Sequence, residues 1–370
     1  MNTYNQIFFE LLRAGLWEKE ARLSQFNKID YAAIMQLAEE QSVVGLITAG
    51  LDKVVDVKVP QMEMLQFVGN TLQIEQQNKA MNDYVAWLID YLRNNNLYAI
   101  LVKGQGIAQC YKRPLWRTSG DVDLLLNDES YEKAKKLLLP LAQSVQQEFS
   151  SFKHQGMVMD GDFEVELHGT MHSRLSRRID KTIDNVQKDI FNNGRVRTWT
   201  NGNTMVFLPA ADNDAIFVFN HILSHFFIGG IGIKQICDLC RLLWTYRKEI
   251  NVALLEKRIR KAGLMTEWQA FGAYAVKYLG MPVEAMPLYS ADKKWSRKAG
   301  RINAFVLEVG NFGHNQKRAE GKKPYLLRKS LSSWRRLGDM LRHFMIFPKD
   351  SILFFGGVLR TGLHAAVRGE

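Results

Sequence analysis

Hydrophobic positions in the first ninety residues recur with helical spacing. In the last of three such stretches Met81, Tyr84, Val85, Leu88, Tyr91 and Leu92 repeat at offsets of three, four and seven, which lays an apolar stripe along one helix face. Asn94, Asn95 and Asn96 form a polar stop. The nearly all-apolar run from Leu97 to Val102 then predicts a buried strand. Gly104 and Gly106 follow it, and Ile107, Ala108, Cys110 and Tyr111 suggest a short helix that Pro114 ends. A second strand is predicted from Val122 to Leu126, then a helix near Tyr131 to Leu139. Further strands are predicted around Gly156 to Met159 and Phe163 to His168, with Asp160-Gly161 as a tight turn between them. A strand from Thr204 is closed by Pro209, after which helical periodicity returns, including Asp212 to His225 and Lys234 to Tyr246. The pattern is that of an α+β chain, with a small mixed sheet and flanking helices set between N- and C-terminal helical regions. Its expected division is 1–95 helical, 96–210 core, 211–290 helical, and 291–370 basic and helical.

Composition narrows this picture. A chain of 370 residues with 46% hydrophobic and 24% charged positions and 8 prolines has ample apolar material for large cores, which excludes disorder. The net charge of +11 favours polyanionic company: a nucleoside triphosphate, a nucleic acid or an anionic membrane surface. From Asn315 to Phe344 nine Lys or Arg stand against two acids, interleaved with Tyr325, Trp334 and Phe344, so anionic surface contact through 315–344 is an expectation beside a plain solvated face. Cys237 and Cys240 are three apart in a helical pattern without the second ligand pair that zinc needs. The start has Glu10 soon after a very short apolar run, unlike a signal peptide, and Ser351 to Leu359 is too short to span a bilayer. A cytoplasmic protein without a transmembrane segment is expected.

The chemistry concentrates in Leu101 to Leu126. Side chains alternate across a strand, so Asp121 and Asp123 must share a face while Val122 points into the core. Two adjacent carboxylates repel unless positive charge compensates them, and hard oxygen ligands are what Mg²⁺ or Mn²⁺ selects. The segment Asp162 to His168 places Glu164, Glu166 and His168 on one face. Glu166 is the first choice and Glu164 the second for a third carboxylate, provided the two acidic strands are neighbours. The turn Lys103-Gly104-Gln105-Gly106 opens a helix and offers N–H groups to a phosphate, with Lys103 adding a point charge. Arg117, four residues before Asp121, is placed to neutralise the carboxylates or a triphosphate, or to bridge to a nearby acid. A dinucleotide reading of Gly104 and Gly106 fails because Gln109 occupies the third glycine position.

The pattern of a strand ending in Lys103-Gly104, a helix ending at Tyr111, Arg117 before Gly120-Asp121-Val122-Asp123, and a later strand with Glu166 and His168 resembles a group of uncharacterised bacterial nucleotidyltransferases. His221, His225, Gln235 and Asp238 look like the helical part of that group, and the resemblance covers roughly residues 60 to 250. It departs from the wider superfamily, whose more usual Gly-Ser turn lies close before the acidic pair. The resemblance implies a polymerase-beta-like nucleotidyltransferase fold and metal-dependent transfer of a nucleoside monophosphate from an NTP donor to an acceptor hydroxyl. Asp121, Asp123 and Glu166 would then be catalytic and metal-binding, and Lys103, Gly104, Arg117 and Gly120 would bind the nucleotide. The acceptor stays open among a small molecule, RNA and a protein. The alternative is a catalytically inactive module of the same fold that binds RNA or a protein partner through its basic surface. His221 and His225 stand four apart without the glutamate of a zinc-peptidase motif, which points to a packed or hydrogen-bonded pair.

Overall fold

A computed structural model of the chain describes residues 2–148, 153–173, 175–228, 230–311, 338, 341–354 and 356. The opening region is helical as its periodicity demands: α1 (Thr3–Trp17), α2 (Tyr31–Glu40), α3 (Val44–Leu51) and the 34-residue α4 (Gln61–Asn94). At about 1.5 Å per residue α4 runs roughly 50 Å, long enough to serve two packing layers. Phe67 in its first half joins α1–α3, and Met81, Val85, Leu88 and Leu92 in its second half pack under the sheet. Close approach of α1 and α3 depends on glycine, since a Cβ on Gly50 would lie 2.0 Å from the Leu11 carbonyl oxygen.

The β content lies in the middle of the chain. β1 (Ile100–Val102), β2 (Asp121–Leu125), β3 (Ser144–Val145), β4 (His154–Val158), β5 (Glu164–His168), β6 (Val196–Asn201) and β7 (Thr204–Pro209) form one seven-stranded sheet. Its order is β3-β4-β5-β2-β1-β7-β6. The sheet is mixed: β2 pairs parallel with β5 and antiparallel with β1, while β1 pairs parallel with β7. Interleaved with the strands are α5 (Gly104–Ala108), α6 (Asp128–Leu138) and α7 (Arg177–Asn193). After the sheet come α8 (Ala211–Ile228), α9 (Ile233–Thr245), α10 (Val252–Ala262), α11 (Met265–Leu279) and α12 (Lys293–Val309).

Period two sorts the sheet residues between two environments. Leu101, Val122, Leu124, Val165, Leu167, Val206 and Leu208 face α4 and α6 in one core cluster. Ile100, Val102 and Leu125 face the other way, into the larger helical core with α8, α9 and α11. That second face also carries Asp121, Asp123, Glu166 and His168, so the acids are held between the sheet and the later helices.

Besides the two-residue edge strand β3, two regions differ from the sequence expectation. The first strand is shorter than Leu97–Val102, because Asn96 takes a left-handed turn (φ 59°) and the Leu97 amide still bonds to the Leu92 carbonyl, which makes 97–99 the exit from α4. Between His168 and Thr204, where the sequence pattern predicts no element, the chain forms α7, capped by Ser176 and Gly194, and the edge strand β6. The residues 315–344 lie mostly outside the described ones. Among the described residues no helix is long and apolar enough to cross a membrane.

Candidate active site

Register brings the acids together. β2 and β5 run parallel with Asp121 opposite Glu164, Asp123 opposite Glu166 and Leu125 opposite His168. Ligand oxygens of Asp121, Asp123 and Glu166 lie within 4.8 Å of one another, whereas Glu164 is exposed and outside the group. At that separation each like-charge pair costs roughly 3–4 kcal/mol for an effective dielectric near 20. The neighbouring Asp123 charge and then burial push the Asp121 carboxyl up to about 6.

Asp123 is 1% exposed. Its Oδ1 accepts from Lys103 Nζ at 2.8 Å and lies 2.7 Å from His168 Nε2. Its Oδ2 is buried without a partner. Glu166 Oε2 lies 3.1 Å from His154 Nε2 and 3.4 Å from His168 Nε2. Burial would raise the Glu166 carboxyl, but the two imidazoles outweigh it and hold the group well below the carboxylate range. Three hard carboxylates, one with an orphaned buried oxygen, fit a divalent cation such as Mg²⁺.

Lys103 sits on strained backbone (φ 56°, ψ −141°), which a non-glycine residue adopts at a cost of about 1–3 kcal/mol. The conformation turns the chain from β1 into α5 and delivers the amine to Asp123. Burial works against its charge, but Asp123, Asp121 and Glu166 together hold it charged. The turn differs from an open phosphate cradle. α5 is five residues long and buried, and a Cβ on Gly106 would meet Leu208 Cδ2 at 2.7 Å, so that glycine serves packing against β7. Gly104 has φ 33° and closely approaches the Asp121 carbonyl.

Arg117 does not reach the carboxylate cluster. Its Nε and Nη2 donate to Asp238 Oδ1 and Oδ2 at 2.8 and 2.7 Å, its Nη1 donates to Ser119 Oγ at 2.9 Å, and Tyr111 donates to the same Asp238 Oδ1 at 2.7 Å. Burial raises the Asp238 carboxyl, and Arg117 more than reverses that, leaving it below its usual range. The buried pair ties the loop before β2 to α9 from 121 positions away.

A cavity of about 170 Å³ opens over the carboxylates. Lys103, Gly104, Arg117, Gly120, Asp121, Asp123 and Glu166 all line it, together with His221, His225, Lys234, Gln235 and Asp238. His221 and His225 pack edge to face with ring centroids 4.3 Å apart, and burial keeps both neutral, His225 down to about 4. Two residues of the site escaped the sequence reading. Lys234 of α9 donates to the Thr118 carbonyl at 3.2 Å, and burial followed by Arg117 lowers its amine to about 8. Its one available signal is its place four residues before Asp238 on the same helix. His154 stands opposite His168 on β4, just before the point where the sequence reading begins that strand.

A family model described as uncharacterised nucleotidyltransferase matches residues 27–280, more than two thirds of the chain and more than the sequence resemblance spans. Among solved structures, an antigenic nucleotidyltransferase-like protein from Paracoccidioides brasiliensis is similar at 14% identity and a TM-score of 0.32, over 55% of this chain and 93% of that one. No curated protein matches the chain significantly. On the extent of the family match, the chain belongs to the family of uncharacterised nucleotidyltransferases.

Proposed function

We propose that the protein is a cytoplasmic, divalent-metal-dependent nucleotidyltransferase of the polymerase-beta-like superfold. The observation that carries the reading is the triad Asp121, Asp123 and Glu166, converging on one point with Asp123 Oδ2 buried and unpartnered. Such an arrangement is costly in a protein that does not use it. Asp121, Asp123 and Glu166 would hold Mg²⁺ or Mn²⁺, which supplies charge neutralisation and Lewis acidity at the transferring phosphate.

The chain's own residues divide the remaining work. Lys103 and Lys234 both line the carboxylate cavity and place positive charge where a triphosphate would lie. Gln235 donates Nε2 to Asn311 at 2.8 Å and leaves Oε1 without a partner, an acceptor available to the nucleoside. Arg117 acts at one remove, fixing the Thr118–Gly120 loop through Asp238. In the transfer, the acceptor oxygen bonds to the α-phosphorus, the α–β bridging P–O bond breaks and pyrophosphate leaves. The acceptor proton passes to a carboxylate of the triad. The imidazoles of His154 and His168 orient Glu166.

The test is a thermal-shift screen of the four ribonucleoside triphosphates with and without Mg²⁺, since a ligand bound to the native state raises apparent stability. Mg²⁺-dependent stabilisation by at least one triphosphate is expected, and it should vanish in Asp121→Asn. No shift with any triphosphate would remove the reading in favour of a non-catalytic module.

A further inference from the structure

A second cavity, of about 140 Å³, adjoins the first, and Lys103 and His221 line both. His154 and His168, which hold Glu166 Oε2, line the second cavity, while Glu166 itself lines the first. Glu166 is therefore held by a wall that the two cavities share. The rest of the second lining comes from the segment after β5 and from α8: the polar Thr170, His172, Ser173, Asn220 and Ser224, and the apolar Met171 and Phe217. Asn220 is 5% exposed, donates Nδ2 to the Met171 carbonyl at 2.9 Å, and keeps a buried Oδ1 without a partner. Burying an unpaired amide oxygen costs about 1–3 kcal/mol, a cost that a ligand donor would relieve.

We propose that this second cavity is the acceptor subsite and that it takes a small polyhydroxylated molecule, neutral or anionic. The inference rests on the nucleotidyl-transfer reading of the first cavity. Size limits the occupant. The volume is roughly ten times the ~10–15 Å³ that one water needs on the same measure, which suits a monosaccharide-sized molecule rather than a length of nucleic acid. Chemistry limits it further. Hydroxyls, an amide and imidazoles, beside the apolar Met171 and Phe217, match the hydroxyl groups and C–H faces of such a molecule, and the lining holds no carboxylate to pair with an ammonium group. Position supplies the third argument. A molecule seated there would lie beside the triphosphate cavity, with which it shares Lys103 and His221, and next to the imidazoles that orient Glu166.

The experiment uses the full chain with Mg²⁺ and the stabilising triphosphate. A pool of neutral monosaccharides, a pool of monosaccharide phosphates, a pool of amino sugars and total tRNA are added separately, and thermal stability is read for wild type, Ser224→Trp and Asn220→Leu. The expected result is a further rise of a few degrees with the neutral or the phosphorylated pool. Both variants should lose that rise while keeping the triphosphate shift, which reports that they fold and bind donor. Stabilisation by amino sugars or tRNA alone, no stabilisation by either sugar pool, or a sugar effect that survives both variants would overturn the assignment. Absence of the triphosphate shift in wild type would instead mark failure of the nucleotidyl-transfer reading itself.

Discussion

Replacing Asp121 by Asn should make the metal-free protein more stable, because the wild-type carboxylate is held against its neighbours. The Asp123 charge and burial lift the Asp121 carboxyl from 3.8 to about 6. At about 1.36 kcal/mol per unit the shift corresponds to roughly 3 kcal/mol of destabilisation, reduced to ~2 kcal/mol because solvent reaches this partly exposed group. The sign follows from proton binding. Below about pH 4 both folded and unfolded states carry the proton and the penalty is absent. It grows as the pH rises through 4 to 6 and is complete above that. Asparagine keeps the shape and removes the charge. Denaturant unfolding in chelator should therefore find Asp121→Asn ~2 kcal/mol more stable than wild type at pH 7, a rise of about 4 °C in Tm, and equal to it near pH 4. Millimolar Mg²⁺ should close or reverse the gap, since only wild type gains. A variant no more stable at pH 7, or a gap of the same size at both pH values, would refute electrostatic repulsion as the state of this site.

Asp238→Ala strands the buried guanidinium of Arg117 and the Tyr111 hydroxyl, and should lower stability by about 3–5 kcal/mol in urea unfolding. The paired replacement Arg117→Met with Asp238→Leu should recover most of that loss, and equal loss in both would mean the pair contributes through something other than charge burial. His154→Ala removes one of two imidazoles from Glu166 Oε2, and should weaken Mg²⁺ binding measured calorimetrically by about tenfold with little change in Tm. An unaltered affinity would remove His154 from the site.

Much of the site was legible because strand alternation is local. The single segment Gly120-Asp121-Val122-Asp123 places two acids on one face and apolar residues on the other, whatever the rest of the chain does. The same rule puts Glu166 and His168 together on β5, and helical spacing marks α4, α8 and α9. What alternation cannot supply is the choice of neighbour. That β5 lies beside β2, parallel and with Glu166 opposite Asp123, depends on packing the apolar faces of both strands onto α4 and α6. Partner choice for charged side chains is equally non-local. Arg117 stands four residues from Asp121, yet in a buried setting it goes to Asp238, whose two oxygens match its fork, and only the docking of α9 against the sheet brings that carboxylate within reach. Lys234 arrives on the same helix and His154 on β4, each unremarkable in its own segment. The sequence alone thus determined which faces carry acid, and the tertiary structure decided which acids meet and which cations answer them, because side-chain direction follows from neighbouring backbone while charge pairing follows from distances that only the assembled core sets.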